Sequence, residues 1–302
     1  MIIGHENNLK HLIDVINSNN FSHFYLFVGP EHIGKTYIAR YFAQRLLCEA
    51  KEGQGPCYEC INCKLIESNN QPDFMINDGQ ELISVEEIRD LIHFLELKPY
   101  QSKMKIAIIT HAERMTPQAS NAFLKTLEEP TPDTLIVLTA ENLKNILPTI
   151  VSRAQILHFG FLKKEKIKTF LSKELNVEIT KAEKLADFSA GKPGVAISLT
   201  NDQEKMENIK KFVEEFLRVT GKGTVNGRLQ LAEKIAQDGE NVLEKLDYLE
   251  NYFQSQLMIL SNDCGNLLKT VQVLDKIAKS RHYLRHNVNS RLMMETILLT
   301  GA

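Results

Sequence analysis

Gly29-Pro30-Glu31-His32-Ile33-Gly34-Lys35-Thr36 fits the pattern G-x-x-x-x-G-K-[ST], and its flanks fit the same reading. The apolar run Phe24-Tyr-Leu-Phe-Val28 leads in as a buried strand, and a helical pattern from Thr36 to Cys48 leads out. Strand, glycine-rich loop and helix in this order make a phosphate-binding loop. The glycines let backbone N–H groups curl around phosphate oxygens at a helix N-terminus, where the helix dipole also favours negative charge. On this reading Gly29 and Gly34 shape the cradle, Lys35 reaches the β- and γ-phosphates, and the Thr36 hydroxyl ligates Mg²⁺.

Outward from the loop, residues 1–160 alternate short apolar runs with helical patterns. Strands are expected at Phe24–Val28, Phe74–Asn77, Lys105–Thr110, Thr134–Thr139 and Gln155–Phe159. A helix from Ser84 to Leu97 opens on a capping box, Ser84 with Glu87. A second starts at Thr116, with Pro117 at its first helical position, and runs to Glu128. Such alternation predicts an α/β domain with a parallel sheet covered on both faces. Residues 161–203 read as short helices punctuated by Ala190-Gly-Lys-Pro-Gly194, and 204–302 as helical throughout, with a loop expected at Lys222–Gly227.

Four of the five cysteines, Cys48, Cys57, Cys60 and Cys63, fall within sixteen residues, while Cys264 stands alone. Two overlapping C-x2-C units in a reducing compartment predict a closed four-thiolate Zn²⁺ site of structural type. Lys plus Arg number 36 and Asp plus Glu 38, a net charge of −2, which argues against a whole-surface nucleic-acid binder. No apolar run approaches the ~18 residues of a membrane span, and Met-Ile-Ile-Gly-His-Glu carries no signal-peptide pattern. A cytoplasmic protein is expected.

Several segments together resemble the bacterial clamp-loader subunits of the AAA+ family. Beyond the phosphate loop and the cysteine insertion after its helix, Asn70-Gln-Pro-Asp-Phe74 is similar to the family's His-Pro-Asp segment. Ile83-Ser-Val-Glu-Glu-Ile-Arg89 is similar to the opening of its next helix. Ser120-Asn-Ala-Phe-Leu-Lys-Thr-Leu-Glu-Glu-Pro130 is close to its most characteristic stretch. Leu147-Pro-Thr-Ile-Val-Ser-Arg153 matches a region that ends Ser-Arg-Cys, with Ala154 here in place of Cys; Asn287-Val-Asn-Ser-Arg-Leu292 resembles a C-terminal segment. The resemblance implies a RecA-like AAA+ module (1–160, with the zinc insertion at 48–63), a small helical lid (161–203) and an all-α collar for oligomerisation (204–302). It further implies a pentameric ring with tau/gamma ATPase subunits and a delta subunit, which loads a sliding clamp onto primed DNA in the service of DNA polymerase III.

Against that family pattern, the active-site positions divide. Thr110 and His111 occupy the two strand-end positions where an ATPase carries its acids, and Glu113 lies two residues past the second. Without those carboxylates hydrolysis by this chain is expected to be absent or very weak, since positioning and electrostatics carry most of phosphoryl transfer. ATP or ADP with Mg²⁺ is still an expected ligand. The lid arginine of the family falls near Gly194, with Lys192 a nearby cation, and Thr139 falls at the polar sensor position. Arg153 is retained, and the resemblance makes it an arginine finger aimed at a neighbour's nucleotide. The chain therefore reads as a non-hydrolysing ring subunit acting as stator, with no polymerase site of its own. A tau/gamma-like ATPase, another P-loop enzyme and a zinc nucleic-acid-binding module are the competing readings.

Overall fold

Five parallel strands stand in the order β2-β3-β4-β1-β5. They are β1 (Phe24–Val28), β2 (Phe74–Asn77), β3 (Lys105–Ile109), β4 (Thr134–Ala140) and β5 (Gln155–His158). This is a computed structural model, and it describes residues 2–50, 56–78, 82–200, 202–237, 242–259, 264–284 and 289–300. Each strand agrees with its expected run to within one residue at its end. β1, β3 and β4 are buried along their whole length, as strands covered on both faces must be, and this is why they read as continuous apolar runs.

The connecting helices are α1 (Glu6–Asn17), α2 (Lys35–Leu47), α3 (Ile61–Glu67), α4 (Val85–Glu96), α5 (Pro117–Glu128) and α6 (Pro148–Val151). One face of the sheet packs Ile38, Phe42 and Leu47 of α2 against Tyr25, Phe27 and Ile108. The other packs Ile88, Leu91 and Leu95 of α4 and Phe123 and Leu127 of α5 against Leu26, Ile109 and Leu138. The capping box at Ser84 is formed: the Glu87 N–H donates to Ser84 Oγ at 3.2 Å, and the Ser84 N–H donates to the Glu87 carboxylate at 2.8 Å. Pro117 opens α5 with Thr116 as its cap, as expected.

The chain divides into two compact units, Met1–Leu162 and Lys163–Ala302. The second unit is helical: α7 (Lys164–Lys173), α8 (Ile179–Phe188), α9 (Pro193–Ser198), α10 (Gln203–Lys222), α11 (Val225–Gln237), α12 (Val242–Ile259), α13 (Cys264–Leu284) and α14 (Ser290–Thr300). Its main core joins Phe216, Leu231, Leu246, Leu249, Ile277 and Ile297, drawn from five helices. The loop expected at Lys222–Gly227 is shorter than its composition implies. Thr224 Oγ1 accepts the Gly227 N–H at 3.2 Å and its carbonyl accepts the Arg228 N–H at 3.1 Å, so Val225-Asn-Gly227 is the first turn of α11. Lys51–Gly55 within the cysteine segment, the side chain of Cys264, and Asn287 and Val288 of the C-terminal segment lie outside the described residues.

Candidate functional site: a phosphate loop, a strand-end cluster and four thiols

The loop leaves β1 between two parallel neighbours, so it sits at the carboxyl edge of the sheet, where open α/β sheets bind their ligands. Gly29 passes so close to β5 that a Cβ there would stand 2.1 Å from the Phe159 carbonyl oxygen. Gly34 holds φ +100, a conformation that L side chains rarely adopt, and immediately precedes α2. Lys35 follows as the first residue of that helix. Its ammonium is buried and donates to the carbonyls of Gly29 (2.6 Å) and Pro30 (2.7 Å), curled onto its own loop. Burial lowers its pKa, and the carboxylates of Glu113, Glu141 and Glu31 work in the opposite direction. Thr36 is half-buried beside it.

At the end of β3 the two positions expected to lack acids take different roles. Thr110 is buried and turns toward β2, its hydroxyl donating to the Asp78 carbonyl, with Asn77 O at 3.3 Å. His111 adopts φ 51, in the left-handed region, and its N–H donates to Thr139 Oγ1 at 3.3 Å. Thr139 thus satisfies the strand-end backbone from the adjacent strand. The His111 ring faces carboxylates: Nδ1 is 3.7 Å from Glu31 Oε1 and 3.5 Å from Glu113 Oε1. Arg114 reaches the same Glu31 oxygen at 3.7 Å. Sequence reasoning located Thr110, His111 and Glu113. It missed Glu31 and Glu141: Glu31 fills an unspecified position of the phosphate-loop pattern and Glu141 none, and only the sheet order brings them to one place.

Arg153 follows the short helix α6 and precedes β5. One guanidinium nitrogen donates to Thr149 O at 2.7 Å and contacts Ser152 Oγ at 3.3 Å, and the other pairs with Glu128 at the end of α5. Its side chain is one-third exposed, 33%, so a neighbour can reach the guanidinium without unfolding anything. Glu128 belongs to the Leu-Glu-Glu-Pro run and Arg153 to the Ser-Arg run, and the fold puts these two sequence blocks side by side.

Lys192, expected as a cation of the lid, is buried and donates to Asn251 Oδ1 at 3.0 Å, with Glu250 Oε1 at 3.7 Å. That ammonium is used inside the helical unit, tying the start of α9 to α12. Arg281 pairs there with Asp247 and Glu250, and Arg291 pairs with Glu295 and Glu233.

The four cysteines converge. All four are free thiols, and their sulfurs lie within 4.8 Å of one another, with Cys48 Sγ and Cys57 Sγ 3.5 Å apart. Four sulfurs around a zinc ion at Zn–S of about 2.3 Å would be separated by ~3.8 Å, so the donor set and its spacing fit the ion. Backbone N–H groups point at the sulfurs: Cys60 N donates to Cys57 Sγ at 3.2 Å, and Cys57 N to Cys48 Sγ at 3.4 Å. The Cys60 and Glu59 N–H groups hold the Cys57 thiol down to about 6, whereas burial pushes Cys48 and Cys63 up. The turn α3, capped by Cys60 itself, is fastened to the sheet domain through Asn62, which donates to Leu47 O at 3.0 Å and accepts from Gln71 at 2.9 Å.

A parallel sheet in this order, a phosphate loop after β1 and an arginine before β5 define an AAA+ type P-loop module with a helical second unit. Residues 4–163 match the family model described as DNA polymerase III, delta subunit, and residues 165–301 match that described as Cyanobacterial DNA polymerase III delta prime, C-terminal domain. The chain belongs to the DNA polymerase III delta-prime family. It is 35% identical over 207 residues to DNA polymerase III subunit delta' of Bacillus subtilis, covering 68% of this chain and 62% of that one. It is 28% identical over 277 residues to subunit tau of the same organism, covering 85% of this chain and 49% of that one. The match to delta' of Pseudomonas aeruginosa is 37% over 135 residues, 44% of this chain and 41% of that one. The alignments therefore span about half of these relatives' length. A crystal structure of a DNA polymerase III gamma subunit-related protein from Thermotoga maritima shares the fold, with TM-score 0.50 at 20% identity over 97% of this chain and 98% of that one. Among the described residues no helix is long and apolar enough to cross a membrane.

Proposed function

We propose that this chain is a ring subunit of a clamp loader that does not hydrolyse ATP itself and lends Arg153 to the nucleotide site of a neighbour. Its partners on this reading are tau/gamma ATPase subunits and a delta subunit in a pentameric ring, and through that complex a sliding clamp and primed DNA. The observation that carries the first half is the end of β3. Thr110 is turned into the backbone of β2, and His111 follows it at the position that, by the family resemblance, would carry the water-orienting carboxylate. A partly exposed Arg153, held by a carboxylate it can exchange for phosphate, supports the second half. Zn²⁺ on Cys48, Cys57, Cys60 and Cys63 is proposed as a structural ion: it would replace a core for a segment too small to have one and supplies no chemistry. Gly29, Gly34, Lys35, Thr36 and Thr139 are the proposed contacts for ATP or ADP with Mg²⁺. Lys35 must then release the Gly29 and Pro30 carbonyls to meet phosphate.

The test is turnover by the isolated chain with saturating Mg-ATP. The expected result is release of phosphate indistinguishable from that of a Lys35→Ala variant. Turnover of the order of 1 s⁻¹, typical of working phosphoryl-transfer enzymes, and dependent on Lys35, would overturn the proposal.

A further inference from the structure

The sheet order brings three metal-ligating side chains to one point that no sequence motif predicts. β3, β4 and β1 are adjacent, and each is followed at its carboxyl end by one of them: His111, Glu141 and Glu31. One ligand atom from each lies within 4.8 Å of the others, and the His111 Nδ1 to Glu31 Oε1 distance is 3.7 Å. Ligands at about 2.0–2.2 Å from a common ion are separated by roughly 3–3.6 Å, so small side-chain rotations close the set. A second observation points at the same place. The Glu113 side chain is only 5% exposed, neither carboxylate oxygen has a hydrogen bond, and Oε1 stands 3.5 Å from His111 Nδ1. A buried carboxylate costs several kcal/mol unless a cation or N–H donors compensate it, and the nearest side-chain partner of Glu113 is His111 itself. The cations nearby are Lys35, turned onto its own loop, and Arg114, 3.7 Å from Glu31.

We propose that Glu31, His111 and Glu141 form a divalent-cation site of the imidazole–carboxylate type, with Glu113 behind the His111 ring, and that it fills without nucleotide. One nitrogen and two oxygens suit Mn²⁺ or Zn²⁺ better than Mg²⁺ or Ca²⁺, which take oxygen alone. Its three ligands are not among the proposed nucleotide contacts, although Glu31 lies within the phosphate loop and His111 also enters the ring-subunit reading; metal binding without nucleotide and the turnover assay test the two separately. It also differs from the four-thiolate cluster, which selects soft, thiolate-binding ions.

That difference selects the probe. The full chain, with its thiolate cluster saturated with zinc, is titrated with Mn²⁺ in the absence of nucleotide, and free Mn²⁺ is read by electron paramagnetic resonance. One Mn²⁺ per chain is expected at sub-millimolar affinity, with nitrogen coupling from a single imidazole in the pulsed spectrum. His111→Ala and the conservative Glu141→Gln should each weaken binding about tenfold or more. Glu113→Gln should weaken it by about 10–100-fold while keeping the nitrogen signal, the range for groups behind a ligand. Circular dichroism melts and retained zinc verify that each variant is folded. No Mn²⁺ bound at roughly millimolar concentration, binding without nitrogen coupling, or binding indifferent to both His111→Ala and Glu141→Gln would overturn the proposal.

Discussion

Asp73→Asn is the substitution whose cost the structure states most fully. Asp73 lies immediately before β2 and is completely buried. Oδ1 accepts the Tyr100 N–H at 2.6 Å, and Oδ2 accepts those of Gln101 and Ser102, both at 2.8 Å. Lys105 Nζ stands 3.6 Å from Oδ1 and 4.1 Å from the centre of the Phe94 ring. Asparagine keeps one acceptor oxygen. Whichever way its amide turns, its NH₂ faces at least one of these N–H donors, and the Lys105 ammonium loses its counter-charge. An orphaned N–H costs about 1–3 kcal/mol, and breaking a buried pair costs about 3–5 kcal/mol. Because the two overlap, we expect a loss of about 4 kcal/mol. For a unit of this size that lowers Tm by roughly 8–16 °C. Burial alone would raise the pKa of Asp73, but the three N–H donors and Lys105 outweigh it and hold the carboxyl below its ordinary value. A group depressed in the folded state contributes fully above its unfolded pKa, about 3.9, and the contribution disappears as pH falls through the lower folded value. Wild type and variant should therefore differ fully at pH 7, and their denaturation midpoints should converge only below about pH 4. Urea titrations across pH measure this. A difference below about 1 kcal/mol at pH 7, or one independent of pH down to the acid transition, would refute the reasoning.

Other expectations follow from single contacts. Cys60→Ser should abolish retention of one zinc per chain, measured by elemental analysis after gel filtration, and lower Tm, because the thiol that caps α3 is also a proposed ligand of the ion. Gly29→Ala should destabilise the sheet domain by about 3 kcal/mol or leave it insoluble, since its Cβ would meet the Phe159 carbonyl at 2.1 Å; a melt within about 1 °C of wild type would refute the close approach. Lys192→Met should change the stability of the helical unit by breaking its bond to Asn251, with no loss of ATP affinity in calorimetry. A lysine that instead contacted phosphate would show the reverse pattern.

Local chemistry explains which parts were legible in advance. The phosphate loop, the three covered strands, the Ser84–Glu87 box and the Thr116-Pro117 start each carry their physical cause in adjacent residues. Helix α1 does not: it begins after His5 at φ 57 with no side-chain cap, so nothing marks its start. Likewise α3 is a short turn whose cap is a cysteine, a residue read first as a ligand. The apparent loop at Val225–Gly227 was misleading because Thr224 caps it into α11, and a glycine alone does not report that. At the site, the motif residues were legible one at a time. Their convergence with Glu31, Glu141 and Glu128 depends on strand order, which is a long-range property. For the same reason Lys192 read as a lid cation, whereas fifty-nine residues separate it from the Asn251 that holds it.

On the proposed function, this chain's contribution to hydrolysis lies at Arg153 and is exercised on a neighbour. Arg153 is one-third exposed and its pair with Glu128 is a surface pair, so Arg153→Ala should change stability by less than about 1 kcal/mol, separating any loss of activity from loss of fold. The decisive measurement is the DNA- and clamp-stimulated ATPase of a ring reconstituted with tau/gamma and delta subunits, carrying either the wild-type chain or Arg153→Ala. The account predicts full assembly by gel filtration with turnover at the adjoining site reduced by about a thousandfold or more, seen as loss of that site's share of the total rate. An intact ring whose ATPase is the same with either chain would contradict it.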